Sequence, residues 1–209
     1  MSTSSLTLLS LMAGLSLLPF ALVMCTSFVR MAVVLSILRS ALGAGQVPPA
    51  SVITGLALVL SLVAMSPVAA QMGERFEESW PRLQQAEPAE LFREGVRVVE
   101  PLSDFLRRHT DPERLREFAR LLGDDAEAPG WRSLVPAYAV GQLEQAFRTG
   151  FVLFLPFLVL DLLVGSILLS LGMHMLSPAG VSLPFKLLLF VAADGWNLLG
   201  ANLLASAGA

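Results

Sequence analysis

Charge in this chain is confined almost entirely to one block of the sequence. Of the 31 Asp, Glu, Lys and Arg residues, 26 lie between Glu74 and Arg148. A chain whose whole surface met water would carry charged side chains along its entire length. The two flanking blocks therefore fold in a different environment from the central one. This pattern indicates a membrane or membrane-derived protein with one polar insert.

Four apolar stretches in the flanking blocks are candidates for membrane-spanning helices. A helix rises about 1.5 Å per residue, so about 20 apolar residues cross a hydrocarbon core of roughly 30 Å. The first stretch contains Pro19, where we expect a kink, and we expect the second to end near Pro67 or soon after. The four stretches are residues 6–38, 52–73, 149–176 and 185–207.

Two short segments rich in turn residues join these stretches in pairs. They are GAGQVPPAS at 43–51 and SPAGVSLP at 177–184, and Gly, Pro and Ser are residues that turns favour. The predicted fold is all-α and of membrane type. Two long helical hairpins, at residues 1–73 and 149–209, flank a small helical polar insert at residues 74–148.

The insert has the pattern of small amphipathic helices. Apolar residues recur near helical spacing across 89–108. Thr110 and Glu113 form a capping-box pattern at the start of a second helix, and Gly123 is a stop signal. The acidic segment 124–130 predicts a loop. We expect most of the charges to form a solvated face, with a partner-binding surface as the alternative.

Basic residues beside the two short loops predict the orientation in the membrane. Arg39 flanks the first loop and Lys186 flanks the second. Loops on the cytoplasmic side of a membrane carry the excess of Lys and Arg. Both short loops are therefore expected in the cytoplasm, with both termini and the insert on the opposite side.

Five charged residues interrupt the apolar blocks. Charges inside membrane spans mark pairing sites, subunit interfaces or aqueous paths. Lys186 and Asp194 are roughly 12 Å apart along a helix, which is too far for a direct bond. Arg30 and Asp194 are expected at similar depth, so we expect them to pair within or between subunits, since an unpaired charge there is costly. The five are Arg30, Arg39, Asp161, Lys186 and Asp194.

The sequence predicts no catalytic residue, no metal site and no cofactor. It has no GxSxG, P-loop, HExxH or CxxC motif. Basic residues are not interleaved with aromatic ones, which argues against nucleic acid as a partner. Two other classes stay open. One is a small-molecule or ion transporter or channel, because prolines interrupt the apolar stretches. The other is an intramembrane aspartyl protease using Asp161 and Asp194, although neither lies in a GxGD motif.

Four segments, in order along the chain, carry a resemblance to a known family. They are TSFVRMAVVLSILRSALGAGQVPP (26–49), PAYAVGQLEQAFRTGF (136–151), FLPFLVLDLLVGSILLSLGMHMLSP (154–178) and PFKLLLFVAADGW (184–196). The last contains the motif residues Pro184, Phe185, Lys186, Asp194, Gly195 and Trp196. Together they resemble the FliP/SctR family, export-apparatus proteins of bacterial type III secretion systems. The chain departs from the family at Gly141, where a hydroxyl residue or His is usual, and at Thr149, where Ile or Met is usual.

The resemblance implies a structural role in protein export across the bacterial inner membrane. Members of the family assemble as a pentameric ring with FliQ/SctS-type and FliR/SctT-type subunits. The helical complex forms the entry portal for unfolded substrate proteins, and its hairpins are held largely above the bilayer plane. Flagellar members usually carry a cleavable signal peptide and a longer N-terminus, neither of which is visible here. We therefore expect a member of the injectisome branch.

The resemblance also implies a gate. In the family a methionine-rich loop closes the resting pore, and the corresponding segment here is Gly172–Pro178. It contains Met173 and Met175, with His174 between them in place of a further methionine. A flexible thioether can close a hole and repack around varied side chains. Two methionines that fill a core near a helix end are the alternative interpretation.

Overall fold

Every regular element in the described part of the chain is an α-helix, which confirms the predicted fold class. The computed structural model describes Met12, Ser16, Phe20, residues 23–43, Gly45, residues 47–83 and residues 88–207. Its helices are α1 (Phe28–Leu42), α2 (Ala50–Leu83), α3 (Pro88–Arg108), α4 (Pro112–Leu122), α5 (Trp131–Ser170), α6 (Pro178–Ala192) and α7 (Gly195–Ser206).

Two of these helices are long and apolar enough to cross a membrane. They are α2, over Ala50–Arg82, and α5. The shorter helices α6 and α7 pass the same test only as a pair, with a bend of 61° between them. The described residues therefore provide two spans, or three if the bent pair counts as one, where the sequence predicted four.

The helix bounds in the N-terminal block differ from those predicted. The first apolar stretch is not one continuous helix, because residues 25–27 form a turn and α1 begins at Phe28. The kink expected at Pro19 lies outside the described residues. Helix α2 does not end near Pro67 but continues to Leu83. Pro67 removes one helical hydrogen bond, but this 34-residue helix continues past it.

The chain divides into two compact units. Unit 1 consists of Met1–Ser27 and Val68–Gly141, and unit 2 of Phe28–Pro67 and Gln142–Ala209. Residues of both predicted hairpins thus belong to unit 2. The three-part division by sequence, with boundaries after residues 73 and 148, stays a prediction.

Unit 1 contains the amphipathic helices α3 and α4, and α3 agrees closely with the predicted helix at 89–108. Its buried residues include Phe105, whose ring centroid lies 6.0 Å from that of Tyr138 in an edge-to-face contact. The start of α4 corrects a prediction. Asp111, not Thr110, is the N-cap, and its carboxylate accepts from the Glu113 N–H at 2.8 Å.

Burial explains why the capping position moves by one residue. Thr110 is buried and its hydroxyl donates to the Leu106 carbonyl oxygen at 2.7 Å, at the end of the preceding helix. That bond leaves the exposed Asp111 to cap α4. Gly123 ends α4 as predicted, with a φ of +66° that an L side chain rarely adopts.

Asp124 organises the loop between α4 and α5, within the predicted loop segment. Its carboxylate accepts hydrogen bonds from the Ser133 hydroxyl, the Gly130 N–H at 2.8 Å and the Asp125 N–H at 3.1 Å. The Ser133 bond is the main reason that the pKa of Asp124 lies below its ordinary value, followed by the Gly130 bond. Both bonds favour the charged carboxylate.

We expect Asp124→Asn to make the protein less sensitive to acid. A carboxylate with a lowered folded-state pKa stabilises the fold above its unfolded pKa, about 3.9, and this contribution is lost as the pH falls through the folded value. Thermal unfolding in detergent at pH 7 and at about pH 3 should show a larger acid-induced loss for the wild type. Asp104→Asn, at an exposed position, should behave as wild type. Equal acid sensitivity of wild type and Asp124→Asn would contradict the assignment.

Unit 2 has a core built mainly around α1. Met31, Val34 and Leu35 are completely buried there, together with residues of α2, α5, α6 and α7. The helices α1 and α5 approach closely at Gly150, where an added Cβ would overlap the side chain of Ile37. A glycine at this position allows an approach that any larger residue would obstruct.

Candidate functional site

A buried ion pair joins α5 to α6. The Lys186 Nζ lies 2.7 Å from Oδ2 of Asp161 and also donates to the Ala41 carbonyl oxygen at 3.0 Å. The Ser182 hydroxyl donates to the other oxygen of the Asp161 carboxylate. The Lys186 side chain is only 5% exposed and that of Asp161 is 32% exposed. Both charges therefore have the partners that a low-dielectric site requires.

Arg30 forms a second polar junction. Its guanidinium donates to Oε1 of Gln145 in α5 and to the backbone carbonyl oxygen of Ser206 at the end of α7. Arg30 is 4% exposed. The last carbonyl groups of a helix have no partner within the helix, and the planar guanidinium can donate in two directions at once. Arg30 thus links α1 to α5 and to the C-terminus of α7.

These two junctions fix the directions of the helices in unit 2. Arg30 of α1 meets Gln145 of α5, and Ala41 of α1 meets Lys186, which is bonded to Asp161 of α5. Helices α1 and α5 therefore run in the same direction. The α6–α7 pair runs in the opposite direction, because Lys186 lies at the Ala41 end and Ser206 at the Arg30 end.

The same geometry brings the two short loops to one end of unit 2. Gly43 begins the first loop, and a Cβ built on it would lie 3.6 Å from Nζ of Lys186. Lys186 lies in α6, which follows the second loop. This placement agrees with the prediction that the two loops share a side. Which side of the membrane they face stays a prediction.

The predicted pairing of Arg30 with Asp194 within one chain is wrong. Arg30 binds Gln145 and Ser206, whereas both carboxylate oxygens of Asp194 accept from Nδ2 of Asn197, at 2.9 and 3.1 Å. Asp194 has a left-handed backbone, with a φ of +50°, and it lies at the break between α6 and α7. A local amide therefore satisfies it. Pairing of these residues between subunits stays a prediction.

The actual partners of the charged residues leave little signal in the sequence. Gln145 is uncharged, so it carried no signal as a partner of Arg30. Lys186 and Asp161 lie 25 positions apart on different helices, and only their occurrence in two apolar stretches could have suggested a pair. Arg39 is half-buried in α1, and no bond of its side chain is seen within the described residues.

The motif residues at 184–196 build the bent helix pair. Gly195 lies against the ring of Phe190, which an added Cβ would overlap. The Phe190 ring contacts Trp196 edge to face at 5.1 Å and lies 6.5 Å from the ring of Phe157. Pro184 and Phe185 are exposed on α6. Lys186 provides the ion pair, and Gly195 and Trp196 pack the bend.

Met173, His174 and Met175 lie in an exposed loop between α5 and α6. Every residue from Leu171 to Gly180 is exposed, and the Met175 side chain is 100% exposed. The loop leaves α5 through Gly172, which has a φ of +74°. Methionines that filled the core of this chain would be buried, so the core-filling interpretation is wrong for this chain. Their thioethers are available for contacts outside it.

The departure from the family at Gly141 also has a structural explanation. A Cβ built on buried Gly141 would lie 2.8 Å from Nη1 of Arg114. The absence of a side chain at this position gives the Arg114 guanidinium room to lie against α5. A hydroxyl residue or His would displace it.

The described residues define a multi-pass helical membrane protein in which Arg30, Asp161 and Lys186 have partners on other helices. Among them, no group of three or more His, Cys, Asp or Glu side chains could hold a metal ion.

Comparison with known proteins identifies the family. The sequence matches the FliP family over residues 11–203. It is 43% identical over 209 residues to the flagellar biosynthetic protein FliP of Pectobacterium carotovorum, covering 98% of this chain and 79% of that protein. It is 42% identical over 212 residues to the virulence protein YscR of Salmonella typhimurium, covering 97% of each. It is 40% identical over 210 residues to the Yop proteins translocation protein R of Yersinia pestis, covering 96% and 95%.

The chain belongs to the FliP family, as its motifs predicted. Members of this family are structural components of the type III protein-export apparatus. The chain accordingly has a role in protein export.

Proposed function

We propose that this chain is a pore-forming subunit of a type III export apparatus in the bacterial inner membrane, through which unfolded proteins leave the cytoplasm. The exposed methionine loop, Gly172–Pro178, on a scaffold of this family carries the proposal. Relatives named for harpin secretion and for Yop protein translocation support protein cargo. We propose no catalytic step for the chain itself.

In this proposal the loop is the gate of the pore. Copies of the chain surround an axis and bring Met173 and Met175 together in the resting state. Unbranched thioether side chains suit this role, because they fill irregular gaps and repack easily around different residues of a passing chain. His174 lies in the same exposed loop, where its polar imidazole would make the closed gate wetter than a further methionine would.

We expect the double variant Met173→Ala plus Met175→Ala to leak ions through the assembled apparatus. Alanine removes the flexible part of both side chains and leaves a gap in the closed ring. Conductance of the purified, fully assembled complex in a planar bilayer would measure the leak. The control is Val96→Ala plus Leu121→Ala, which shortens two exposed apolar side chains of the insert and should stay closed. A fully assembled double variant without a leak would contradict the gate.

The partners follow from the apolar surface of the long helices. In α2, Leu58, Val59, Leu62 and Val63 are at least half exposed. Such surfaces on several helices need lipid or other proteins to cover them. We propose that sister copies, five in the ring, and FliQ/SctS-type and FliR/SctT-type subunits cover them. We also propose that the insert faces the periplasm. The mass of the complex purified in mild detergent tests the stoichiometry.

Relatives of both branches are similar to the chain to about the same degree, at 43% and 42% identity. Membership of the injectisome branch therefore stays a prediction. Complementation of deletion strains tests it: restored effector secretion without restored motility is expected, and restored motility alone would contradict it.

Two other functions have less support. An aspartyl protease needs two carboxylates that share a proton, but Asp161 is bonded to Lys186 and Asp194 to Asn197. A transporter acting alone should take up solute when the chain is reconstituted without other subunits. We expect no uptake from such liposomes.

A further inference from the structure

An apolar groove of about 710 Å³ runs along unit 2 between α1, α5 and the α6–α7 pair. This volume lies within the range of small-molecule sites in proteins, roughly 300–1,000 Å³. Most of the lining side chains are apolar, among them Leu153, Pro156, Leu198 and Leu199. The groove is too apolar to hold a fully polar ligand.

The groove is polar at one end only. Arg148 and Thr149 of α5 line it together with Asn202 and Ser206 of α7. Because α5 and α7 run in opposite directions, these four residues lie at the same end, near the Arg30 junction. Towards the other end the lining consists of side chains such as those of Phe157 and Phe190. The groove thus has one polar end and one apolar end.

Arg148 occupies the boundary between the polar and apolar parts of the sequence. It is exposed, and it is the last charged residue before twelve uncharged ones, residues 149–160. Within the described residues its guanidinium forms no ion pair or hydrogen bond. A cation at one end of an otherwise apolar groove matches the charged end of an amphipathic ligand.

We propose that the groove binds an anionic phospholipid, with an acyl chain along the apolar lining and the phosphate on Arg148. The phosphate would accept charge-assisted hydrogen bonds from the guanidinium, and Thr149 and Asn202 supply further polar atoms at that end. Within its apolar blocks a second copy of this chain offers only Asp161 and Asp194 as anions, and both are already bonded within the chain. A phospholipid supplies both the apolar chain and the anion.

Lipid binding by the purified full-length protein tests the proposal. Native mass spectrometry in detergent would compare added phosphatidylglycerol with phosphatidylcholine of the same acyl chains. We expect phosphatidylglycerol to bind about tenfold more tightly, because its headgroup is net negative, whereas the choline cation of phosphatidylcholine offsets the phosphate charge that faces Arg148. Arg148→Gln should weaken phosphatidylglycerol binding more than phosphatidylcholine binding and so remove this preference. Leu198→Trp, which fills the groove, should weaken binding of both lipids by at least about tenfold.

Two controls separate the groove from general effects of charge and bulk. Arg93→Gln removes an exposed arginine of the insert, and Leu188→Trp adds the same bulk at an exposed position outside the groove. Both should bind lipid as the wild type does. Equal binding of the two lipids by the wild type would overturn the proposal, as would unchanged binding by Leu198→Trp. A wild-type protein that excludes lipid and runs as a dimer would show that a second copy occupies the groove.

Discussion

Lys186→Met is expected to destabilise the chain by about 3 kcal/mol. The substitution keeps the length of the side chain but removes its charge, leaving the Asp161 carboxylate in the apolar block with only the Ser182 hydroxyl. Breaking a buried ion pair by removing one partner costs roughly 3–5 kcal/mol. We take the lower end of this range because 32% of the Asp161 side chain is exposed to solvent. Thermal or denaturant unfolding in detergent, and the amount of assembled complex in membranes, measure the effect.

The double variant Lys186→Met plus Asp161→Leu separates two effects. One is the cost of leaving the Asp161 carboxylate without its partner, and the other is the net contribution of the ion pair itself. Replacing both members of a buried pair by apolar residues is often close to neutral, so the double variant should be more stable than Lys186→Met alone. Arg39→Gln removes a half-buried charge from the same unit and should cost less than about 1 kcal/mol. If Lys186→Met is as stable as Arg39→Gln, the ion pair does not hold the helices together.

Gly150→Ala is expected to destabilise unit 2 by about 1–3 kcal/mol. The added methyl group would overlap the Ile37 side chain, and overpacking a well-packed core costs about this much. The overlap outweighs the gain of about 1 kcal/mol that alanine gives over glycine inside a helix. Unfolding in detergent measures the change.

Gly200→Ala is the matched control, since no atom lies within 4 Å of a Cβ built at that position in α7. It should be neutral or stabilising, so the two Gly→Ala substitutions should have opposite signs. Combining Gly150→Ala with Ile37→Ala tests the contact itself, because the shorter side chain removes the overlap. Additive effects in the double variant would exclude a direct contact between the two positions.

The all-α class, the insert helices and the loops at 43–51 and 124–130 could be predicted from the sequence because they depend on local patterns. The prediction of the second short loop at 177–184 was wrong, because α6 already begins at Pro178 and proline fits the first turn of a helix. Apolar spacing predicted α3, and Gly123 ended α4 as expected. Proline was a poorer guide in an apolar helix. Pro67 did not end α2, since a proline removes only one of the helical hydrogen bonds. The break at residues 25–27 carried no proline or glycine signal at all.

The arrangement of the charged residues was less predictable because it depends on which helices are neighbours. A similar depth for Arg30 and Asp194 rests on the assumption that the fourth apolar stretch is one straight helix. The bend of 61° between α6 and α7 and the left-handed backbone at Asp194 invalidate that assumption. Uncharged partners such as Gln145 and the backbone of Ser206 cannot be identified from charge patterns. Met173 and Met175 are exposed, and the gate role that the family resemblance implies for their loop stays a prediction.

Cross-linking through Met175 tests the central claim, that copies of this chain meet at the methionine loop to close a pore. The chain has one cysteine, Cys25, which is buried, so Met175→Cys would be introduced together with Cys25→Ala. In the assembled apparatus, mild oxidation should link copies of the chain into disulfide-bonded dimers, and the same chain kept unassembled in detergent should stay monomeric. An assembled, export-competent apparatus in which Met175→Cys never links two copies would contradict the account.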